Sequence, residues 1–291
     1  LFETLATELL VRAPGSIQFG AAVTKYSETE KNVSVQLENG TTECGDCLVG
    51  ADGIRSAVRT QMRGKTPIQW TGNVAWRGVL DATELADDFM EKVVTNFVAY
   101  KKHMVVYYVR AQKAINFVGV VENRDWRNDS WVQKSPHKEL MADFSGWNET
   151  VQTVVNLTPV DQCYRWALHD YQPLDRWCSK RVTLLGDAAH ASLPFLASGA
   201  AMAIEDARIL QRVLEGHETT TATRLHLALV KYQRNRMSRT ASVQKRSRNV
   251  GQLYHLPGRL LRRAAFKALG TRTGKNEHFL PQYDANIIPL V

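Results

Sequence analysis

The chain has 291 residues, of which 44% are hydrophobic and 23% charged, enough to bury a sizeable core in two domains or one large one. No apolar run reaches the roughly 18 residues of a membrane-spanning helix, and no repeat, heptad array or low-complexity tract occurs. These features exclude a helical membrane protein, a solenoid, a coiled coil and a disordered chain.

In chain order, Leu1, Leu5 and Leu9 fall on one helical stripe that Pro14-Gly15 ends. A start in mid-helix without an initiator Met reads as a fragment or a gene model with an incorrect start. Strands are predicted over 16–27 and 32–37, with Asn39-Gly40 turning the second into a hairpin. A short apolar strand, 47–49, then enters Gly50-Ala51-Asp52-Gly53-Ile54-Arg55-Ser56-Ala57-Val58-Arg59. That pattern is a strand end, a glycine-rich turn and a helix start.

Residues 68–121 are rich in β-branched and aromatic side chains, with continuous apolar strands at 104–109 and 114–121. Residues 125–158 read as loop and then helix. A buried strand over 181–185 ends at Gly186-Asp187, a Pro-containing loop follows, and helices are predicted over 199–214 and 222–248. Beyond Gly251 there is no clear period.

The net charge of +8 is unevenly spread, because fourteen Lys or Arg and no acid lie between Arg224 and Asn276. Such a block suits an anionic partner or a solvated helix face. It has no zinc spacing and few aromatics to stack bases, so a solvated face is expected and nucleic-acid binding is the weakest hypothesis. Four cysteines make no disulfide framework, and the expected compartment is reducing and cytoplasmic. Cys44 and Cys47 form a CxxC without a second pair at zinc spacing; core filling is expected, and no metal.

Two Gly-Asp bends carry the chemistry. In the first, strand-borne Asp52 enters a turn where Gly53 allows close backbone approach, with Arg55 and Arg59 ready to meet anions. A capped helix start would use the same residues. In the second, Gly186-Asp187 leads through Pro194 to the helix start Gly199-Ala200-Ala201. There a carboxylate can grip a sugar hydroxyl, and small side chains leave backbone N–H groups open at a positive helix end. A tight packing turn is the alternative.

Together, in this order, the two segments resemble the second and third FAD-binding signatures of the class A flavoprotein monooxygenases, the aromatic hydroxylases. Residues 181–214 are similar to the salicylate hydroxylase branch. So are Trp76-Arg77-Gly78, Asn123-Arg124-Asp125-Trp126 and Trp166-Ala167-Leu168-His169-Asp170 leading to Pro173-Leu174-Asp175-Arg176-Trp177. The resemblance implies an α/β (α+β) fold: a Rossmann-like FAD-binding domain over 1–64 and 163–250, an inserted β-sheet substrate domain over 65–162, and a C-terminal extension over 251–291.

It also implies that Asp187 binds the ribityl chain, with Gly186 beside it among the cofactor-binding residues, that Pro194 and the Gly199-Ala200 backbone lie against the isoalloxazine, and that Asp52 and Gly53 approach the pyrophosphate and help to shape the NAD(P)H path. Arg55 belongs to the same signature. Lys102-His103-Met104-Val105-Val106-Tyr107-Tyr108 resembles the 6-hydroxynicotinate hydroxylase group. His103 and Tyr107 share one strand face, so an imidazole of near-neutral pKa and a phenol can line one pocket and take a phenolic proton. His190 is expected only to shape its loop.

The implied activity is hydroxylation of a small phenolic or heteroaromatic acid with FAD, NAD(P)H and O2. The family's first signature, Gly-x-Gly-x-x-Gly after a strand, is absent, and its expected place is upstream of Leu1. That absence motivates a second hypothesis, a non-catalytic flavoprotein relic or subunit.

Overall fold

The computed structural model describes residues 1–123, 125, 133–215, 221–273 and 283–291, with backbone alone at 269–273. Helix α1 (Phe2–Arg12) forms on the predicted stripe, yet none of its residues is buried. Three antiparallel strands follow: β1 (Val23–Glu28), β2 (Val33–Leu37) and β3 (Thr42–Gly45), in sheet order 1-2-3. Gly40 at φ +85° closes the β2–β3 turn in a region that side-chain-bearing residues rarely occupy. The first strand begins seven residues later than predicted, at Val23 opposite Leu37.

Strand β4 (Leu48–Gly50) delivers the first Gly-Asp bend into α2 (Ala57–Arg63). Gly50 is required for packing: a Cβ there would lie 2.8 Å from Val58 of α2. Strands β5 (Gln69–Asp81), β6 (Thr95–Ala99), β7 (Lys102–Val109), β8 (Ala114–Glu122) and, later, β9 (Tyr164–Asp170) make an antiparallel sheet in the order 6-7-8-5-9. One face is covered throughout and the other in part, which explains the continuous apolar runs. On one face, α3 (His137–Asp143) and α4 (Glu149–Leu157) bury Trp76, Met104, Phe117, Phe144 and Val151. On the other, Ala75, Val120, Trp166, Leu168 and Leu193 pack together. Of the Asn123–Trp126 motif, Arg124 and Trp126 lie outside the described residues.

Strand β10 (Val182–Leu184) pairs in parallel with β4, Leu184 opposite Gly50, so both Gly-Asp bends leave the same end of this two-stranded sheet. Then come α5 (Asp187–His190), α6 (Gly199–Leu214), α7 (Ala222–Tyr254) and α8 (Arg259–Thr273). Helices α6 and α7 pack on β10 around Ile209, Leu229 and Tyr232. The chain beyond Gly251 is more ordered than its sequence suggests: α7 continues to Tyr254, and α8 occupies a stretch read as aperiodic.

The basic block is not simply a solvated face. Arg236 is fully buried and Arg239 nearly so, and both pair with acids of α6. The CxxC is not core filling throughout, because Cys44 is exposed on β3. Burial pushes the Cys47 thiol up to about 11. All four cysteines are free, and among the described residues no helix is long and apolar enough to cross a membrane.

Candidate functional site

The two bends, 135 residues apart in sequence, open onto one cleft of about 750 Å³. Asp52, Gly53 and Arg55 line it from the first bend, and Asp187, Pro194, Gly199 and Ala200 from the second. Gly186 does not line it. With φ +61° it forms the bend beneath, where a Cβ would meet Ala203 at 3.3 Å. Trp166, Leu168 and His169 of β9 supply the sheet-side wall, with Leu193 beside them.

A cross-tie holds the two bends in register. Buried Arg59 donates to the Ala188 carbonyl at 3.0 Å and to the Ile54 carbonyl at 2.5 Å, and its guanidinium stacks 4.5 Å from the Tyr171 ring centroid. Tyr171 in turn donates to the Asp187 carbonyl at 2.7 Å and accepts from the Ala191 N–H. Arg59 therefore meets backbone carbonyls, not an external anion, which corrects the sequence expectation. Asp52 serves the helix as well as the cleft: its Oδ2 accepts from the Ala57 and Val58 N–H groups at 2.7 and 3.2 Å.

Below Asp187 lies a buried ion network. Asp206 of α6 accepts from the Gly186 N–H at 2.9 Å, from His190 Nε2 at 2.5 Å and from Arg236 Nε at 2.6 Å. Burial works against its charge, but these donors outweigh it and hold the carboxyl below its ordinary range. Glu205 takes two hydrogen bonds from Arg239 and one from Arg236. His190 thus braces the loop through Asp206. For Asp187 the balance is reversed: desolvation by the cleft walls raises its pKa, opposed by His190.

The chemistry of the cleft suits a large polyhydroxylated, partly aromatic ligand. Helix α6 has no side-chain cap, since Ser198 Oγ donates to Leu196 instead, leaving its first N–H groups open to an acceptor. A Cβ on Gly199 or Gly53 would meet nothing within 4 Å, so both glycines face space that a ligand can fill. Ala197 in the same wall has left-handed backbone (φ 49°, ψ 30°), a conformation costly for alanine.

The two predicted catalytic residues stand elsewhere. His103 is 1% exposed, its Nδ1 lies 2.8 Å from His255 Nε2, and Phe195 and Tyr254 cover its ring. Burial, with His255 beside it, pushes its pKa down to about 3, far from the near-neutral value expected. Tyr107 is half-buried at the far end of β7. The two residues share a face but lie about 13 Å apart, at roughly 3.4 Å of strand per residue. Neither lines the cleft.

Sequence reasoning did not single out Arg59 as a tie, Tyr171, Asp206 or the β9 wall as site residues. The signal for Asp206 is a carboxylate on the inward stripe of α6 with Met202 and Ile209, a position that needs a buried cation.

These features define a protein of the flavin-binding class, and comparison with known proteins agrees. Residues 2–247 match the family described as FAD binding domain, and the chain belongs to that family. It is 33% identical over 244 residues to a 3-amino-4-hydroxybenzoate 2-monooxygenase of Streptomyces platensis, covering 84% of this chain and 60% of that one. To a 6-hydroxynicotinate 3-monooxygenase of Bordetella bronchiseptica it is 35% identical, covering 100% of this chain and 70% of the relative. A salicylate hydroxylase solved as a substrate complex superposes with a TM-score of 0.81 at 29% identity, over 99% of this chain and 76% of that one. The chain thus spans about three fifths to three quarters of the length of these relatives.

Proposed function

We propose that the chain is the major part of an FAD-dependent monooxygenase that hydroxylates a small phenolic or heteroaromatic acid with NAD(P)H and O2. The observation that carries this reading is the convergence of Asp52, Gly53 and Arg55 with Asp187, Pro194, Gly199 and Ala200 on one cleft. The relatives' names, all hydroxylating monooxygenases acting on aromatic acids, supply the reaction class.

When bound, FAD would supply the redox chemistry that links NAD(P)H, O2 and the aromatic ring. The protein does the rest. The Asp187 carboxylate accepts from ribityl hydroxyls. The open N–H groups of Gly199 and Ala200, at the positive end of a 16-residue helix, favour negative charge on the ring system. Pro194 and Leu193 give that ring an apolar face. Gly53 and Arg55 approach the phosphates. Trp166 and Leu168 exclude water from the sheet side. His103, sealed and neutral, then serves packing rather than proton transfer, and Tyr107 remains a polar contact on the sheet face.

The domain division that follows assigns 1–64 and 163–250 to cofactor binding, 65–162 to substrate binding and 251–291 to an extension. Two separate apolar clusters, one around Leu184 and Tyr232 and one around Trp76 and Phe117, support it.

The test is spectroscopic and kinetic. Purified protein given FAD shows a bound-flavin spectrum and oxidises NAD(P)H faster when a hydroxylated aromatic acid is added. Folded protein that takes up no flavin under these conditions refutes the reading.

A further inference from the structure

Helix α8 is the part of the basic block that neither the cleft nor the ion network of α6 and α7 uses. It holds five bases and no acid. One half-buried side fixes it to the rest of the molecule. The rings of Phe266 and Tyr254 stack with centroids 6.0 Å apart, and Arg262 donates to the Leu256 carbonyl at 2.7 Å. Ala265 completes this side, and the other side chains described from Arg259 to Ala268 are exposed.

The helical repeat orders that exposed side. Residues four apart form a row along a helix, and each successive residue turns by roughly 100°. Arg259, Arg263 and Lys267 make one row. Leu260, Ala264 and Ala268 make the next, with Leu261 beyond it. Leu260 is 82% exposed, more than any other large apolar side chain among the described residues, and Leu261 is 56% exposed. A single exposed leucine is ordinary on a protein surface. An apolar strip bordered lengthwise by cations instead matches a partner that is apolar beneath and anionic at its margin.

We infer that α8 is a docking helix for an anionic phospholipid surface. It lies flat on the bilayer, with Leu260 and Leu261 entering the boundary between headgroups and acyl chains and the basic row meeting lipid phosphates. Charge complementarity selects this occupant. A nucleic acid offers phosphates to the row but leaves both leucines in water, and Phe266 is turned inward against Tyr254 rather than out toward bases. A second copy of the helix could cover the leucines, but it would set its own cations against these. Two leucines contribute little apolar area, so the attachment is reversible and salt-sensitive. The inference is independent of the reaction assigned to the cleft, which none of these residues lines.

Co-sedimentation of the purified chain with vesicles tests it, using phosphatidylcholine alone and phosphatidylcholine with an equal part of phosphatidylglycerol. In low salt the chain binds the anionic vesicles at least tenfold more tightly than the neutral ones, and about 0.5 M NaCl abolishes the binding. Arg259→Glu combined with Arg263→Glu weakens it tenfold or more. Leu260→Gln combined with Leu261→Gln weakens it severalfold while retention on heparin stays that of the wild type. Leu260→Trp, an independent arm, adds fluorescence that brominated acyl chains quench.

Wild-type chain that stays in solution with anionic vesicles in low salt overturns the inference. So does a double leucine variant that binds them as the wild type does, or a Leu260→Trp signal that brominated chains leave unquenched, since either reduces α8 to a general polyanion patch. A wild-type dimer that light scattering shows to be lost in the double leucine variant would assign the strip to a second copy instead. None of these results touches the monooxygenase reading.

Discussion

Arg59 donates a 3.0 Å hydrogen bond to the carbonyl of Ala188, 129 residues further along the chain. The first Gly-Asp bend thereby grips the second through a buried guanidinium that also holds Ile54 in its own turn. The cleft is consequently a property of the tie as much as of the residues lining it.

Removing the tie is expected to be costly. Arg59→Met strands one buried and one partly buried carbonyl and lowers unfolding free energy by about 3 kcal/mol. FAD affinity falls with it, because the two walls lose their common anchor. Urea denaturation, followed by a flavin titration well below the unfolding midpoint, measures both effects.

Gly199 separates binding from folding. Nothing lies within 4 Å of a Cβ built there, so Gly199→Leu leaves thermal stability unchanged while its side chain enters the cleft. Flavin affinity drops tenfold or more, read from the quenching of FAD fluorescence. A variant that binds FAD normally would mean the cofactor does not approach the start of α6.

The network at Asp206 makes a prediction about acid. Its native pKa lies below the 3.8 of the free side chain, so its stabilisation is fully present above about pH 4 and is lost as pH falls through the native value. Arg236→Met leaves two buried or half-buried carboxylates short of a cation, and costs about 3–5 kcal/mol at neutral pH. Chemical denaturation at pH 7 and at about pH 3 checks magnitude and direction, with the smaller penalty expected at the lower pH.

The His103–His255 pair acts over a different window. Both pKa values are depressed, to about 3 and about 4, chiefly by burial. Below the ordinary 6.5 the unfolded chain takes up protons that the native pair refuses, so stability declines as pH falls from 6.5 toward 4. The decline between pH 7 and pH 5 is about 2 kcal/mol per histidine, so about 4 kcal/mol from the pair. Replacing both by Phe should flatten it, as urea midpoints at the two pH values will show.

How much of this was legible in the sequence depends on range. Helix α6 appears over its predicted span, Gly199–Leu214, and Asn39-Gly40 turns the hairpin, because both follow from local periodicity and turn chemistry. Period two likewise put His103 and Tyr107 on one face. It could not show that the end of α7 folds over His103, a contact made by a residue 152 positions away. The fate of the basic block was hidden for the same reason: Arg236 is buried only because α6 presents Asp206 to it. Charge runs announce cations but not their partners.

The central claim is that two distant Gly-Asp bends enclose one flavin, and a crystal structure of the FAD complex tests it most directly. The account predicts ribityl hydroxyls within hydrogen-bond distance of Asp187, the ring system against Pro194 and Gly199, and phosphates beside Gly53 and Arg55. A flavin bound elsewhere, with the Asp52–Asp187 cleft still open to water, would contradict it.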